Sequence, residues 1–236
     1  MTANFSDVHR AFLQSCVLHS VLTTDRALKI LILLQARLQP DDPVPTESRL
    51  QELLVDINSR LDRYQQKIAQ FDYGPKPKRY LVFANLSDTP LDRFQTAYQE
   101  AELSLFRVIL HALAKDDEHR LDQIQCLNLT SKIEAGRYVS KSRAETLISE
   151  WQTQGYLTIL DEDIGFGPRS MVEFDRYLMN HFPDHLSSCR LCKQALFYGV
   201  KCDQCSEGLH KACLKTYLSR VKKCPCCNKN WTATLE

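Results

Sequence analysis

Length, composition and charge limit what this chain can be. Its 236 residues, 44% of them hydrophobic, have room for two or three small domains with cores of their own. No run of apolar residues is long enough for a membrane-spanning helix, and the mixed polarity of residues 1–10 is not typical of a secretory signal. The formal net charge of +1 hides a basic end: from residue 189 onward the chain has nine Lys and Arg but three Asp and Glu.

The predicted elements begin with two helices. In the first, apolar residues recur at helical spacing up to an end near Ser20, and these are Phe5, Val8, Phe12 and Cys16. Thr24 is suited to cap the second helix. The apolar stripe of that helix consists of Leu28, Leu31, Leu34 and Leu38, and prolines at 40, 43 and 45 end the pattern.

A third helix and a strand complete the first ninety residues. The helix is predicted to start at about Glu47, with an apolar face formed by Leu50, Leu53, Leu54, Ile57, Leu61, Tyr64 and Ile68. After a turn at residues 74–77, the apolar run 80–83 predicts a short strand. Three helices followed by a strand is the order of a small helical domain that a β-hairpin wing closes.

The same order returns between residues 91 and 182. A long amphipathic helix is predicted for 91–114 and a short one for 122–129. Ser140 is placed to cap a third helix, and Gly155 to end it in the left-handed conformation. The buried face of this third helix is predicted to be Ala144, Leu147, Ile148 and Trp151. Two strands around the acidic tip 161–163 follow, and then a last helix near 171–180.

A third helix that runs through Gly155, Tyr156 and Leu157 into a hairpin resembles the winged-helix fold, and the first ninety residues look like a weaker copy of it. Many winged helices bind DNA through a recognition helix and a basic wing. Here the wing tip consists of Asp161, Glu162 and Asp163, which repel phosphates. We therefore expect these two domains to dock proteins rather than to bind DNA by themselves.

The C-terminal end carries the most specific pattern in the chain. Four ligand pairs stand there at spacings typical of structural zinc sites, which implies two zinc ions. The ligand order suggests a cross-brace, in which alternate pairs share an ion. This order assigns Cys189, Cys192, His210 and Cys213 to the first zinc. It assigns Cys202, Cys205, Cys224 and Cys227 to the second.

A disulfide-stapled secreted module is the alternative for a cysteine-dense segment. Only Cys16 and Cys126 lie outside the C-terminal cluster, and the pairs have metal-ligand spacing, so zinc and a reducing compartment are favoured. Cys226 is left over, because the spacing prefers Cys224 with Cys227. Two zinc ions with seven thiolates contribute a net charge of about −3. Much of the basic excess therefore compensates the metal sites and is weak evidence for nucleic-acid binding.

Two families use a cross-brace with this order of four cysteines, one histidine and three cysteines. PHD fingers read histone tails, and RING variants recruit ubiquitin-charged conjugating enzymes. A PHD finger normally has an aromatic residue two positions before the seventh ligand, where this chain has Lys222. The RING resemblance therefore explains more of the sequence.

In RING domains a shallow groove grips the conjugating enzyme. The matching elements here are Leu191 between the first two ligands, Pro225 after the seventh, and a helix predicted at 213–220. The resemblance thus implies docking residues Leu191, Pro225, Tyr217 and Leu218. RING ligases usually place Arg or Lys directly after the last ligand to hold the donor ubiquitin. This chain has Asn228 and then Lys229 at the expected ubiquitin contact, so weak or partner-dependent activity is expected.

The whole chain also resembles one family. Besides the zinc ligands, the resemblance is most specific at Tyr-Leu-Val-Phe, residues 80–83, and at Gly-Pro-Arg-Ser-Met-Val-Glu-Phe, residues 167–174. The family is that of the RING-bearing non-SMC element subunits of the chromosome-maintenance complex built on the fifth and sixth SMC proteins. Membership implies a nuclear, chromosome-associated protein that pairs with a MAGE-like winged-helix subunit and a kleisin. It also implies a role in recombinational DNA repair, as a ubiquitin ligase stimulated by the MAGE-like partner.

The sequence thus predicts a mainly α fold with small β wings. Its three domains are a winged-helix-like domain at 1–90, a winged-helix domain at 91–182 and a RING-like two-zinc cross-brace at 183–236. The predicted function is that of a RING-type E3 ubiquitin ligase subunit without a covalent nucleophile. The alternatives are a non-enzymatic scaffold of RING and winged helices in the same complex, and a PHD-like histone reader. Whether the protein contacts DNA stays open, and any such contact is expected only within the assembled complex.

Overall fold

The computed structural model describes residues 5–73, 78–86, 98–134 and 136–231. It is mainly helical, with small antiparallel sheets and a C-terminal region that gathers the paired cysteines. Three parts follow one another: a first unit (5–86), a second unit (98–182) and the C-terminal region (183–231). Across the described ranges, no helix has both the length and the apolar character needed to cross a bilayer.

The described residues of the first unit form three α-helices and three strands, with a 3-10 turn at Asp62–Tyr64. Its elements are α1 Asp7–His19, β1 Val21–Thr23, α2 Thr24–Leu38, α3 Glu47–Leu61, β2 Gln66–Tyr73 and β3 Lys78–Asn85. The strands form an antiparallel sheet in the order β1-β3-β2. The helices bury their apolar faces against this sheet, around a core that includes Phe12, Leu31, Leu50, Ile57 and Leu81. The predicted turn at 74–77 lies outside the described residues.

Helix α2 begins as predicted but with a different cap. The Oγ1 of Thr23 accepts a hydrogen bond from the Arg26 N–H at 3.3 Å, so Thr23 is the cap and Thr24 is the first helical residue. Leu38 of the predicted stripe is 41% exposed. The buried positions follow another line along the helix, through Ala27, Leu31 and Gln35.

Helix α3 is shorter than the sequence pattern suggests. It ends at Leu61, and Tyr64, predicted on its apolar face, is 57% exposed. Gln65 then adopts a left-handed conformation with φ of 55°, which turns the chain into β2. Ile68 is buried in the core from strand β2. The helical spacing of apolar residues thus continues in the sequence although the helix has already ended. The prediction of a helix up to Ile68 was therefore wrong.

The second unit consists of five helices and three strands among its described residues. Its elements are α4 Glu100–Lys115, β4 Arg120–Leu121, α5 Gln123–Asn128, α6 Lys141–Thr153, β5 Leu157–Leu160, β6 Asp163–Phe166, α7 Pro168–Glu173 and α8 Asp175–His181. Its antiparallel sheet has the order β4-β6-β5. The core surrounds Trp151, whose ring centroid lies 4.9 Å from that of Phe106.

Helix α6 follows the sequence prediction at both ends. The Ser140 Oγ accepts from the Arg143 N–H at 3.2 Å, and the four predicted core residues are buried. Gly155 has φ of 79°, as its predicted role after the helix requires. A Cβ atom on Gly155 would lie 2.5 Å from Cγ2 of Val21, so the two units approach closely here.

Helix α4 begins later than the predicted residue 91. Gln99 is extended, with φ of −74° and ψ of 157°, and its N–H donates to the Glu102 carboxylate at 2.8 Å. This capping interaction sets the first helical residue at Glu100. The continuous helix predicted over 91–114 is thus wrong at 98–99, and its first part, residues 91–97, lies outside the described residues.

The predicted last helix is two helices. Phe174, with φ of −105° and ψ of 6°, separates α7 from α8. Its side chain is completely buried, with its ring centroid 5.9 Å from that of Phe106, and this packing places the break. Between β5 and β6, Asp161 and Glu162 form the turn with positive φ values, and Asp163 already belongs to β6.

Helix α7 joins the second unit to the first. The buried carboxylate of Glu173 accepts from the Tyr156 hydroxyl at 3.0 Å, from Arg169 Nε at 3.0 Å and from the Asn85 N–H at 3.4 Å. Arg169 also donates to the Ser20 Oγ at 3.4 Å. Because Asn85 and Ser20 belong to the first unit, this network holds the two units together.

The C-terminal region has little regular structure. Its elements are β7 Val200–Lys201, β8 Gly208–Leu209 and α9 Lys211–Leu218. The side chain of Phe197, a residue of this region, packs in the core of the second unit, with its ring centroid 5.0 Å from that of Phe166. Ala195 is buried in the same core. The region is therefore anchored on the second unit and not attached through a free linker.

Candidate metal centre

Three of the four ligand pairs, those made of two cysteines, lie in turns of one common geometry. In each turn, the carbonyl of the first cysteine accepts from the N–H four residues later: Lys193 to Cys189, Ser206 to Cys202, and Asn228 to Cys224, at 2.8–3.0 Å. Each of these donors has a positive φ, of 64°, 56° and 58° respectively. The left-handed residue directs both thiols of a pair to one side of the turn, which is what shared metal ligation requires.

The structure brings the predicted ligands together in the predicted cross-brace sets. One group consists of Cys189, Cys192, His210 and Cys213, and the other of Cys202, Cys205, Cys224 and Cys227. Within each group all ligand atoms lie within 4.8 Å of one another. The segments of the two groups therefore interleave along the chain, so that each site ties together distant parts of the region.

The distances within the groups fit tetrahedral zinc. In the second group the sulfur of Cys202 lies 3.9 Å from that of Cys227, and the sulfur of Cys205 lies 3.9 Å from that of Cys224. A zinc–sulfur distance of about 2.3 Å separates the sulfurs of a tetrahedron by about 3.8 Å. The donor sets, three thiolates with one imidazole and four thiolates, are those of closed structural zinc sites. Two groups of Cys and His residues are thus positioned to bind two metal ions.

His210 is oriented by contacts on both ring nitrogens. Its Nδ1 lies 3.2 Å from the sulfur of Cys192 and 4.0 Å from that of Cys213, so Nδ1 is the ligand atom. Its Nε2 lies 3.0 Å from the carbonyl oxygen of Ala195. With Nδ1 on a metal, Nε2 carries the proton and donates to this carbonyl. His210 also stands at the N-cap of α9, so the helix and the first site share this residue.

The electrostatics of the first group favour a cation. Burial raises the pKa of the Cys189 thiol, but backbone N–H donors, first that of Cys192, outweigh it and lower this pKa to about 6. Burial and then the charges of Cys192 and Cys189 raise the pKa of Cys213 to about 12. Thiolates crowded in one site thus oppose one another's ionisation, and a bound dication removes that conflict.

A small apolar cluster contains Cys189 and contacts Cys213, two ligands of the first group. Its buried members are Cys189, Leu196, Leu209 and Leu214, and half-buried residues against it include Leu191, Leu218 and Trp231. Two of the four predicted docking residues, Leu191 and Leu218, therefore meet in one cluster. Tyr217 and Pro225 are half-buried and lie outside it. Helix α9 begins at Lys211 and ends at Leu218, two residues before each predicted limit.

Sequence reasoning named the ligands, Leu191 and Leu218 of this cluster but missed its other members, which are Leu196, Leu209, Leu214, Val200 and Trp231. Trp231 packs against the cluster, and its only sequence signal was its position four residues after the last ligand. Asn228 is exposed and is the left-handed residue of the last turn. Lys229 donates from Nζ to the Gln204 Oε1 at 3.2 Å, so the predicted ubiquitin contact already has a partner within the region.

The comparisons with known proteins agree with this arrangement. Residues 9–174 match the family model described as Nse1 non-SMC component of SMC5-6 complex, and residues 189–227 match a model described as RING-like domain.

Relatives from distant organisms match along most of their length. A Drosophila melanogaster protein, non-structural maintenance of chromosomes element 1 homolog, is 29% identical over 97% of both chains. The Homo sapiens protein of the same name is 25% identical over 96% of this chain and 84% of its own. The Schizosaccharomyces pombe protein, non-structural maintenance of chromosomes element 1, is 27% identical over 77% of each.

A solved structure shares the fold of the whole chain. A chain of the structure titled Nse1-Nse3-Nse4 complex superposes with a TM-score of 0.77 and 19% identity, covering 98% of this chain and 99% of that one. Since the family model covers well over half of the chain, the protein belongs to the Nse1 family of non-SMC components of the SMC5-6 complex.

Proposed function

We propose that the chain is a RING-type E3 ubiquitin-protein ligase subunit of the SMC5-6 complex, with activity that is weak or depends on a partner. The observation that carries this proposal is the pair of interleaved Cys/His groups beside a cluster that contains Leu191 and Leu218. Bound zinc supplies structure here and no reaction step. The region offers a surface that holds a charged conjugating enzyme, so the gain in rate comes from orientation.

The conjugating enzyme would dock on the half-buried apolar residues near the first turn. Leu191 stands between two ligands of the first group, and Leu218 stands at the end of α9, so both depend on the metal for their position. Tyr217 lies next to Leu218 on α9, and Pro225 follows Cys224 in the last turn. Partly exposed apolar side chains on a rigid frame suit a shallow docking groove.

The proposed partners are a MAGE-like winged-helix subunit and a kleisin. Support comes from the family match and from the fold shared with a chain of the Nse1-Nse3-Nse4 complex. We further propose that the first two units are tandem winged-helix domains, at 1–90 and 91–182, which dock these partners. The protein would then act on chromosomes in the nucleus, in DNA repair by recombination, and would contact DNA only within the complex.

The test is the discharge of ubiquitin from a charged conjugating enzyme onto free lysine, with and without the MAGE-like partner. Leu191→Ala is expected to lower the partner-stimulated rate at least tenfold while both zinc ions stay bound, because the change removes docking surface but no ligand. Leu33→Ala is the control, the same change at a 70% exposed position of α2. It should leave the rate of ubiquitin discharge measured in the absence of the MAGE-like partner unchanged. Full activity of the Leu191→Ala variant would rule out the groove assignment.

A non-enzymatic scaffold is the second candidate function. Two observations favour it: Asn228 follows the last ligand where RING ligases place a basic residue, and Lys229 is engaged by Gln204. The anchoring of Phe197 in the second unit also suits a bracing role. If no conjugating enzyme of a broad panel discharged ubiquitin, with both zinc ions and the partner bound, the scaffold would replace the ligase.

A further inference from the structure

Ala195 is held on both sides by groups from different parts of the molecule. Its N–H donates to Oδ1 of Asp175 at 2.9 Å, and its carbonyl oxygen lies 3.0 Å from Nε2 of His210. Only 3% of Ala195 is exposed. One buried residue therefore connects a carboxylate of the second unit to a ligand of the first metal group.

The carboxylate in this chain is fixed by the second unit. Asp175 is the first residue of α8 and follows Phe174, which is completely buried in the core of that unit. Leu178, one turn further along α8, is completely buried as well. The position of the Asp175 side chain is thus set outside the C-terminal region that contains all the ligands.

The segment that carries Ala195 is joined to the first turn by its neighbours. The Cys189 N–H donates to the Gln194 carbonyl at 2.9 Å, and the Leu196 N–H donates to the Ser187 carbonyl at 2.8 Å. The Ala195 N–H lies between these two bonds and finds its acceptor in Asp175 instead. Without this acceptor a buried N–H would be left unsatisfied, which is costly.

The two hydrogen bonds of Ala195 connect Asp175 to the affinity of the first site for its metal. A negatively charged acceptor gives a stronger hydrogen bond than a neutral one. The bond holds the Ala195 backbone, and the Ala195 carbonyl then sets the tautomer and the ring plane of His210. Groups that orient a metal-bound histidine typically change metal affinity 10–100-fold when they are removed.

We propose that Asp175 is a positioning residue for the first zinc site. Through the backbone of Ala195 it fixes the carbonyl that orients His210, so the second unit completes this site. Among the described residues the second group has no such link, since the hydrogen bonds and sulfur contacts of its ligands stay within the C-terminal region. This inference rests on the zinc sites and not on ligase activity.

The experiment compares zinc release from the full-length chain after addition of a chromogenic chelator. Asp175→Ala should release one of its two zinc ions about tenfold faster than the parent, and the other at the parental rate. Asp175→Asn should stay within about threefold of the parent, because its amide oxygen can still accept from Ala195. Asp184→Ala, the same change at an exposed aspartate nine residues on, should behave as the parent.

Cobalt substitution identifies which ion is lost. The visible spectrum of Co²⁺ differs between a site of three thiolates with one imidazole and a site of four thiolates, so faster loss should be confined to the former. The proposal fails if Asp175→Ala releases both ions at the parental rates. It fails equally if both ions leave faster to the same extent and Asp175→Asn brings no recovery, since Asp175 would then only stabilise the fold.

Discussion

At the scale of single residues, the asparagine that follows the last ligand suits its backbone conformation but is not required by it. Asn228 has φ of 58°, and the equivalent residues of the other two turns, Lys193 and Ser206, have φ of 64° and 56°. Asparagine adopts this left-handed conformation more readily than most residues. Lys193 shows that a long basic side chain also fits the turn. The absence of a basic residue after Cys227 is therefore not forced by the fold.

We expect Asn228→Arg to raise ubiquitin discharge about threefold to tenfold, because it restores a basic side chain where RING ligases hold the donor ubiquitin. Zinc content and the melting temperature should change little, since Lys193 occupies the same conformation. Single-turnover discharge measures the effect, with Lys193→Arg as the control. An unchanged rate in the Asn228→Arg variant would count against the ubiquitin contact and favour the scaffold.

At the scale of elements, Gly155 serves two purposes at the end of α6. It ends the helix with φ of 79°, and it leaves room for Val21 of β1, whose Cγ2 a Cβ atom would approach to 2.5 Å. Gly136 shares the first property, with φ of 84°, but a Cβ atom there would meet nothing within 4 Å. Substitution of Gly136 tests backbone strain alone, whereas substitution of Gly155 tests backbone strain together with the contact between the units.

Gly155→Ala should lower the melting temperature by about 4–8 °C, which corresponds to roughly 2 kcal/mol of combined strain and clash. Gly136→Ala, with strain alone, should lower it by about half as much. Adding Val21→Ala to Gly155→Ala should recover part of the loss, since it removes the clashing methyl groups. Equal effects of the two single substitutions, measured by differential scanning calorimetry, would show that the contact with Val21 is unimportant.

At the scale of the whole molecule, the three parts depend on metal to different degrees. The first and second units have extended apolar cores around Phe12 and Trp151, whereas the cluster of the C-terminal region has few buried members. Structural zinc contributes roughly 10–16 kcal/mol in peptide models. The C-terminal region is therefore folded largely by its metal ions.

Removal of zinc should disorder the first ligand turn, residues 189–193, and the chain from about Gly199 onward, and leave the two helical units folded. Phe197 and Ala195 remain anchored in the second unit, and α9 is the one described helix beyond them. Far-UV circular dichroism should thus fall only slightly with a chelator, while limited proteolysis should cut within the C-terminal region. Loss of most of the helical signal would mean that the second unit requires the metal for its own fold.

Features that local sequence spacing determines could be predicted, and features that tertiary packing determines could not. The metal sets and the ends of α6 follow from local spacing, so Ser140, Gly155 and the eight ligands lay where the pattern indicated. The end of α3 did not, because Ile68 continues the helical spacing from a strand. The break at Phe174 and the contact of Asp175 with Ala195 depend on tertiary packing, which local spacing does not reveal.

Two of the contacts between parts lie only two residues apart in the chain. Glu173 accepts a hydrogen bond from the first unit, and Asp175 accepts one from the C-terminal region, with the buried Phe174 between them. In mechanical terms, we expect part of a load applied to the first unit to reach the first metal site through residues 173–175. We expect the three parts to move together under tension, because both contacts lie in one short segment.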